Sequence, residues 1–332
     1  MIRPYSRILV TGSDGFVGHH LLAGLRQHFP ISHIIAAIRP KTGPLTTLPN
    51  SDQVIAFDLT SEKDVEKVIS LRPDGVIHLA AQASVASSFE DPLAFWHANL
   101  MGTVRLADAL LHHVPHCRFV FASSAEIYGL SFQVGTKLDE TAMLRPANPY
   151  AASKAACDLA LSEMQLRGLD VVRLRAFNHI GTGQSDKFVV ASFAKQIAQI
   201  EAGLQDPVIQ VGALDRWRDF LDVGDVCNAY VRALQIETTA DSVYNISSGT
   251  ARRIGDILTD LLARSQVSPK IAVAKSHLRP TDVASVLGDN SKAIRDLGWH
   301  PTIPWDETLT NLLQDWRNRV MRKVAPEFRA GA

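Results

Sequence analysis

The sequence has 332 residues, of which 46% are hydrophobic and 20% are charged, and its 34 basic residues balance 34 acidic ones to a formal net charge of zero. This composition is ordinary for a soluble globular protein, and the length provides a core large enough for two lobes or domains. Because no stripe of Lys and Arg is interleaved with aromatic residues, nucleic acid is not expected as a partner.

The spacing of the cysteines and histidines indicates the cellular compartment and bears on whether the chain binds a metal. Cys117, Cys157 and Cys227 are widely spaced and fit neither a disulfide framework nor a metal-ligand pattern. They indicate buried thiols in a reducing compartment, so we predict a cytoplasmic protein. The twelve histidines include no HExxH or Cys/His spacing, and no metal site is expected. We find no signal peptide or transmembrane segment and expect no membrane association.

Short apolar runs alternate with amphipathic helical patterns through the first half of the chain. The predicted strands are residues 7–10, 33–38, 53–57, 75–79, 118–122 and 170–175. The predicted helices between them are residues 17–28, 62–71, 93–113 and 149–167. This alternation predicts an α/β fold with a Rossmann-type, doubly wound, mainly parallel sheet. Such sheets bind ligands at the carboxyl ends of their strands.

The second half of the chain is less regular, with loops rich in Gly, Asp and Pro. Helices are predicted near residues 189–202, 223–235 and 254–264, with a strand near residues 208–211. We therefore predict a first domain over residues 1–177, rejoined by about residues 217–248. Residues 178–332 are predicted to form a smaller, mixed α/β lobe that covers the strand ends.

The first predicted strand runs into a glycine-rich loop, Thr11-Gly12-Ser13-Asp14-Gly15-Phe16-Val17-Gly18, and an apolar helix follows. The three glycines allow a tight turn, close approach of the backbone to a pyrophosphate, and close packing of helix on strand. Free amides at the helix N-terminus then face the anion. With a strand before it and a helix after it, the loop predicts dinucleotide binding by the first domain.

The ends of the next two strands bear on cofactor choice. The second strand ends in Ile38-Arg39-Pro40, where many dinucleotide folds carry an acid for the ribose hydroxyls. Arg39 suits a 2′-phosphate, which favours NADP over NAD. The alternative is a solvated Arg39 in an enzyme that accepts either cofactor. Asp58, at the end of the third strand, is predicted to accept from the adenine amino group.

Tyr150 and Lys154 lie four residues apart at the start of a predicted helix. Asn148 suits the N-cap and Pro149 the first turn, so the two side chains are expected on one face. A lysine ammonium beside a phenol favours the phenolate and is expected to lower the pKa of Tyr150. Such a pair exchanges a proton with a sugar oxygen near neutral pH. The spacing is common on solvated helices, so its meaning depends on the other motifs.

Seven motifs in order make the chain resemble the extended short-chain dehydrogenase/reductase (NAD-dependent epimerase/dehydratase) family over nearly its whole length. They are Thr11-Gly12-x-x-Gly15-x-x-Gly18, Asp58-Leu59, His78-Leu79-Ala80-Ala81, Asn99-x-x-Gly102-Thr103, Ser123-Ser124, Tyr150-x-x-x-Lys154 and Arg218-Asp219-Phe220. Residues 175–184, followed by Phe188-Val189, look like the reductases that act on GDP-4-dehydro-6-deoxy-D-mannose. Residues 278–283 and 287–289 are similar to those reductases and to GDP-mannose 4,6-dehydratases.

The resemblance implies roles for the residues at the strand ends. Tyr150 becomes the proton donor or acceptor at the sugar C4 oxygen, Ser124 hydrogen-bonds the same oxygen, and Lys154 holds the nicotinamide ribose. The implied cofactor-binding residues are Gly12, Gly15, Phe16, Val17, Arg39, Asp58, Leu59, Leu79, Ala80, Gln82, Tyr150 and Lys154. His179 is interpreted as a histidine that positions its loop, and Asn99 as a bridge between backbone groups.

The resemblance also implies a GDP-linked hexose as substrate. The implied substrate-binding residues are Ser84, Asn178, Val189, Arg218, Arg279 and Asp282. Arg218 and Arg279 are the candidates for the pyrophosphate, because Arg makes bidentate phosphate contacts. Asp282 either contacts the nucleotide or pairs with a nearby arginine.

Glu126 has three interpretations. It occupies the place where sugar 4,6-dehydratases carry the base that removes the C5 proton. The residue before it is Ala125, where some dehydratases carry an aspartate, but GDP-mannose dehydratases lack that acid. Glu126 is therefore a catalytic base, a ligand for a substrate hydroxyl, or a charge packed against its own loop.

The resemblance implies an NAD(P)-dependent reductase that converts GDP-4-dehydro-6-deoxy-D-mannose to GDP-D-rhamnose. The alternatives are GDP-mannose 4,6-dehydratase, a nucleotide-sugar C4 epimerase and, from another class, a non-catalytic NADP-binding scaffold. Residues 180–184 depart from the usual dehydratase loop, and the intact Ser124, Tyr150 and Lys154 argue against a scaffold. In this family the helices matching residues 93–113 and 150–164 pair in a four-helix bundle, so a homodimer is expected.

Overall fold

The computed structural model of the protein describes residues 4–40, 45–133, 135–239, 241–274 and 283–329. Within these ranges a seven-stranded sheet with order β10-β6-β5-β4-β1-β2-β3 forms the centre of the fold, and all its pairs are parallel. Its strands are β1 (Arg7–Thr11), β2 (His33–Ile38), β3 (Gln53–Ala56), β4 (Gly75–His78), β5 (Arg118–Ser124), β6 (Val171–Ala176) and β10 (Val243–Ile246). The parallel sheet confirms the predicted α/β class.

Helices cover both faces of this sheet. On one face, α1 (Phe16–His28) and α8 (Val223–Gln235) pack against Ile8 and Val10 of β1. On the other, α2 (Glu62–Ser70), α5 (Gly102–His113) and α6 (Pro149–Leu166) pack against Leu9. Because successive residues of a strand point to opposite faces, β1 supplies apolar side chains to both cores.

The helix predicted over residues 93–113 is divided into three consecutive segments. It begins as α4 (Pro92–Phe95), widens into a π-helical segment at Trp96–Met101, and continues as α5. A short helix that we had not predicted, α3 (Val85–Glu90), precedes it. π-Helical turns are rare and often lie at functional sites, and this one contains the buried Asn99.

The second half of the chain builds two small sheets and a separate core. β7 (Asn178–Ile180), β9 (Trp217–Asp222) and β11 (Ala251–Arg253) form one sheet, and β8 (Val208–Val211) pairs with β12 (Lys270–Val273). The helices are α7 (Val189–Glu201), α9 (Ile254–Ala263), α10 (Ser291–Leu297) and α11 (Trp305–Arg329). Side chains of α7, α9 and α11 form the core of this lobe. The division of the chain near residue 177 stays a prediction.

None of the helices in the described ranges has the length and apolar character that a membrane-crossing helix requires. The three cysteines are all buried and unpaired by disulfides. Within the same ranges, no group of His, Cys, Asp and Glu side chains is arranged to hold a metal ion.

Candidate active site

The carboxyl ends of the parallel strands bring the predicted residues to one edge of the sheet. Gly12 follows β1, Arg39 follows β2, Leu79 follows β4 and Ser124 ends β5. Neighbouring strands are in register there, with Thr11 opposite both Ala37 and His78. This edge is where doubly wound sheets bind their ligands.

The glycine loop has no room for side chains at two of its glycines. Gly12 has a φ of 72°, and a Cβ there would lie 3.0 Å from the Ala80 nitrogen. A Cβ on Gly18 would lie 2.5 Å from the Ser13 carbonyl oxygen. The backbone of the loop is therefore exposed to a ligand on one side and packed tightly on the other.

Helix α1 starts directly behind this loop. Its N-cap is Gly15, and no side chain in the described part of the chain caps its first amides. Phe16 and Val17, the first two residues of the helix, are half-buried. Backbone amides without a side-chain cap attract anions at a helix N-terminus. The loop and helix together fit the pyrophosphate of a dinucleotide.

His78 ties the glycine loop to the rest of the sheet edge. Its Nδ1 lies 2.8 Å from the Thr11 hydroxyl, and its Nε2 lies 3.0 Å from the Thr103 hydroxyl. The same Thr11 oxygen accepts from the Ala80 amide at 3.1 Å. Burial, together with the charge of Lys154, lowers the pKa of His78 to about 3, so the ring is neutral at neutral pH.

Arg39 and Asp58 both lie exposed at the adenosine end predicted from the sequence. The carboxylate of Asp58 accepts from the amide and the hydroxyl of Thr60 at 2.9 and 2.8 Å. These bonds lower the pKa of Asp58, and the charges of Arg39 and His97 act in the same direction. Leu59 is buried against Gly102, where a Cβ would lie 2.4 Å from the Leu59 Cγ.

Two polar residues organise the segment after β4. Asn99 accepts from the Gln82 amide at 2.8 Å and donates to the Gln82 carbonyl at 3.1 Å, which confirms that it bridges backbone groups. It also donates to the Ser153 hydroxyl at 3.0 Å, which links this segment to α6. Ser84 caps α3 by accepting from the Ser87 amide at 3.2 Å.

Ser124, Tyr150 and Lys154 meet at the end of β5. Asn148 caps α6 by accepting from the Ala151 amide at 2.8 Å, which orients the first turn of the helix as predicted. The Ser124 side chain lies close enough to Tyr150 to act on the pKa of its phenol, which it lowers. Burial acts more strongly in the other direction and raises the pKa of Tyr150 to about 12.

The expectation that Lys154 lowers the pKa of Tyr150 is therefore wrong for this arrangement. The Lys154 ammonium donates to the Ala122 carbonyl at 2.5 Å and lies 4.5 Å from the centre of the Phe121 ring. It is itself buried, and burial lowers the pKa of Lys154 to about 8. Desolvation is the largest influence on the pKa of each of the two side chains.

Glu126 lies next to this group, half-buried in the 3-10 helix Ala125–Ser131. One of its carboxylate oxygens accepts from the Asn148 side-chain amide at 3.2 Å. Its charge contributes to raising the pKa of Tyr150. Asn148 thus connects the start of α6 to the acid, a contact that the sequence analysis did not anticipate.

Three of the substrate candidates, Asn178, Val189 and Arg218, lie in the second half of the chain. Asn178 is exposed on β7, which pairs with β9, and Arg218 is half-buried two residues before the partner of Asn178. The Arg218 guanidinium donates to the Trp217 carbonyl at 2.8 Å. Val189 is exposed at the first turn of α7. Arg279 and Asp282 lie outside the described residues.

The loop after Asn178 is fixed by several backbone contacts. The His179 Nδ1 lies 2.9 Å from the Phe177 carbonyl, and its ring stacks on Phe16 at 6.1 Å, which confirms its positioning role. The His20 ring bonds the Thr182 carbonyl at 2.9 Å, and Gln184 donates to the His179 carbonyl at 2.9 Å. The start of α1 is therefore in contact with the loop after Asn178.

A buried charged cluster next to the site had no place in the sequence interpretation. Asp158, one turn after Lys154, binds Arg173 and Arg175 of β6 at 3.0 and 2.9 Å. Two signals in the sequence point to it. The spacing of Tyr150 and Lys154 continues to Asp158, and two arginines alternate in an otherwise apolar strand.

Comparison with known proteins extends these observations. A family model described as GDP-mannose 4,6 dehydratase matches residues 9–312. GDP-6-deoxy-D-mannose reductase of Pseudomonas aeruginosa is 36% identical over 315 residues, which cover 95% of this chain and 98% of that protein.

Two solved structures show the same fold along nearly the whole chain. RMD from Pseudomonas aeruginosa, complexed with NADPH, has a TM-score of 0.80 and 34% identity, covering 95% of this chain and 99% of its own. UDP-glucose 4-epimerase from Thermus thermophilus, complexed with NAD, has a TM-score of 0.81 and 30% identity, covering 94% and 99%.

Proposed function

We propose, from the premise that this chain belongs to the GDP-mannose 4,6-dehydratase family, that it is an NAD(P)-dependent nucleotide-sugar reductase. Its proposed reaction is reduction of the C4 ketone of GDP-4-dehydro-6-deoxy-D-mannose to GDP-D-rhamnose. The observation that carries this proposal is the placement of Ser124 beside Tyr150, one helical turn from Lys154, in a chain similar from end to end to a GDP-6-deoxy-D-mannose reductase.

NADP is the proposed cofactor, with NAD as the alternative. When bound, the reduced nicotinamide supplies the hydride. Gly12, Gly15 and the first amides of α1 would hold the pyrophosphate, and Arg39 would face the 2′-phosphate. Phe16, Val17, Leu59, Leu79, Ala80 and Gln82 would line the rest of the site.

The high pKa of Tyr150 suits a proton donor. With a pKa of about 12, the phenol stays protonated at neutral pH. An alkoxide that develops at C4 is a stronger base than a phenolate, so the proton moves to the sugar oxygen. Ser124 would stabilise the developing charge by a second hydrogen bond. The Lys154 ammonium would hold the nicotinamide ribose.

The GDP-linked hexose is proposed to bind between the sheet edge and the second lobe. Asn178 and Arg218, on two paired strands, face its diphosphate in this proposal, and Arg279 is a further candidate from the sequence. Ser84 and Val189 would border the sugar and the nucleotide, and Asp282 the nucleotide.

Glu126 keeps GDP-mannose 4,6-dehydratase as the second candidate. The acid is half-buried, and its charge acts on Tyr150, so an acid and a phenol are available together. Dehydration needs a base at C5 beside the redox site at C4. A reductase needs no base at C5, and Glu126 would then serve only to accept the hydrogen bond from Asn148 at 3.2 Å.

Two incubations separate these candidates. A reductase oxidises one NADPH for each GDP-4-dehydro-6-deoxy-D-mannose and leaves GDP-mannose unchanged. A dehydratase consumes GDP-mannose without added reductant, and that result would overturn the proposal. The Glu126→Gln variant sharpens the test, because glutamine still accepts from Asn148 but is no base. We expect it to keep NADPH oxidation within about threefold, whereas a dehydratase would lose about 10²–10⁴-fold.

We also propose a homodimer built on the exposed apolar side of α4, α5 and α6. Leu93 is 78% exposed, Leu159 is 60% exposed and Met101 is 50% exposed. Large apolar side chains that are exposed on neighbouring helices are typical of protein interfaces. Light scattering after gel filtration is expected to give twice the chain mass, and Leu159→Glu is expected to give the monomer.

We also propose that the protein is located in the cytoplasm. The support is the state of the three cysteines, all buried and none in a disulfide. Free buried thiols are typical of reducing compartments. Fractionation of the source cells, with the protein found outside the cytoplasmic fraction, would contradict this.

A further inference from the structure

The face of α6 that carries Tyr150 and Lys154 ends in a buried acid. Tyr150, Lys154 and Asp158 follow one another at intervals of four residues, which places them on one face of the helix. Asp158 is completely buried. It does not reach the sheet edge where the substrate is proposed to bind, so the proposed reaction leaves it without a role.

The Asp158 carboxylate holds α6 against two strands. It accepts from the Ser123 hydroxyl at 2.7 Å, and Ser123 precedes Ser124 on β5. On β6, Arg173 donates at 3.0 Å, and Arg175 makes two bonds of 2.9 and 3.2 Å. A bidentate arginine fixes orientation as well as distance. The helix therefore has little freedom to slide or rotate over the sheet.

The cluster continues from β6 to the 3-10 helix that carries Glu126. Arg175 also donates to the Tyr128 hydroxyl and to the Glu140 carbonyl, both at 2.9 Å. Tyr128 in turn donates to the Asn245 side chain on β10 at 2.7 Å. One connected set of bonds thus joins α6, β5, β6, β10 and the segment of Glu126.

Burial of this cluster is not an obvious source of stability. Two arginines and one aspartate leave an excess positive charge, and buried ion pairs often contribute no more than apolar residues of similar size. The Arg173 Nε is buried and has no hydrogen-bond partner among the described residues. Burying these charges costs free energy, and the cluster lies directly behind Tyr150 and Lys154. This placement indicates that the cluster affects the geometry and the charge of the site.

We propose that Asp158 is a positioning residue of the reaction, which aligns Tyr150 and Lys154 with Ser124 and keeps the Lys154 ammonium charged. This inference rests on the proposed function only for the identity of the reaction. It assigns Arg173 and Arg175 as the groups that hold Asp158 in place.

The electrostatic part of this role has a defined direction. Burial lowers the pKa of Lys154 to about 8, and the charge of Asp158 opposes that shift. The neighbouring Cys157 thiol stays protonated in this range, because burial raises its pKa to about 11. The other groups around the ammonium are the Ala122 carbonyl, the Phe121 ring and His78, which is neutral. Asp158 itself remains ionised, because its arginine partners hold its pKa below the usual range.

The test compares pH profiles of kcat/KM and of NADPH affinity. In the wild-type enzyme we expect both to decline above about pH 8, as Lys154 loses its proton. Asp158→Asn removes the opposing charge about one helical turn away, so both declines are expected to begin at least about 1 pH unit lower. Ser123→Ala is the matched control, since it removes one hydrogen bond and no charge, and its profile is expected to match the wild type.

If the Asp158→Asn variant does not fold, the pH profile of the Arg173→Met variant tests the same proposal. This variant retains the Asp158–Arg175 pair and removes a positive charge, so the decline is expected to move to higher pH. An unchanged profile in a folded Asp158→Asn or Arg173→Met protein overturns the proposal. Failure of wild-type protein to oxidise NADPH with the GDP-sugar overturns the proposed reaction instead, and the NADPH affinity profile still tests Asp158.

Discussion

The sheet edge and the second lobe hold their candidate residues in different ways. At the sheet edge, Ser124 ends a seven-residue strand, Tyr150 and Lys154 sit on an 18-residue helix, and Lys154 donates to the Ala122 carbonyl. In the second lobe, Asn178 lies exposed on a three-residue strand and Arg218 is half-buried. From this difference we expect the chemistry to depend on the long, well-packed elements and substrate choice to depend on the shorter and more exposed ones.

Substitution at the sheet edge is expected to have the largest effect. Tyr150→Phe removes the proposed proton donor, and we expect kcat to fall by about 10²–10⁴-fold with NADPH affinity nearly unchanged. The control is Tyr244→Phe, the same change at a buried tyrosine of β10, which should leave kcat unchanged. Steady-state kinetics and NADPH titration measure both. Equal losses in the two variants would mean that the phenol acts through the fold and not through the reaction.

A second change tests how rigid the glycine loop is. Gly18→Ala puts a Cβ 2.5 Å from the Ser13 carbonyl, and backbone must move to admit it. We expect a loss of about 1–3 kcal/mol in the free energy of unfolding, with weaker NADPH binding. Gly24→Ala, in the same helix, places its Cβ 3.8 Å from Val231 and is expected to stabilise the protein by about 0.5–1 kcal/mol. Urea unfolding of both variants measures these free energies. A Gly18→Ala protein as stable as the wild type would contradict close packing of the loop.

The architecture of the first half was predictable because its signals are local. Each strand is a short apolar run and each helix has an amphipathic period, and the strand–loop–helix pattern around Gly12 placed the dinucleotide site. The match of residues 9–312 to the family confirms the resemblance drawn from seven motifs. Local patterns of this kind need no knowledge of distant contacts.

The features that were missed depend on contacts between distant residues. The pKa of Tyr150 follows from how deeply α6 packs, which helical spacing alone does not reveal. The pairing of β10 with β6 joins residues about 70 positions apart, from Arg173 to Val243. The binding of Asp158 to Arg173 and Arg175 likewise needs the sheet to be assembled. In each case tertiary packing decides the chemistry of a residue that the sequence can only locate.

The smallest expected effect belongs to the second lobe and concerns Arg218. If substrate choice depends on exposed elements, Arg218→Gln should raise the KM for the GDP-sugar about tenfold, because a charge-assisted bond to phosphate contributes about 1.5–3 kcal/mol. Its kcat should change little, since the diphosphate is bound equally in the ground and transition states.

The matched control for Arg218 is Arg253→Gln. Arg253 is exposed on β11, opposite Trp217, and its guanidinium lies 3.7 Å from the Asp256 carboxylate. We expect the KM for the GDP-sugar to be unchanged in this variant and the KM for NADPH to be unchanged in both. A fall in kcat with Arg218→Gln would contradict the comparison, because it would mean that the second lobe also aligns the reacting groups. A rise in KM alone would show that the two regions divide binding and chemistry between them.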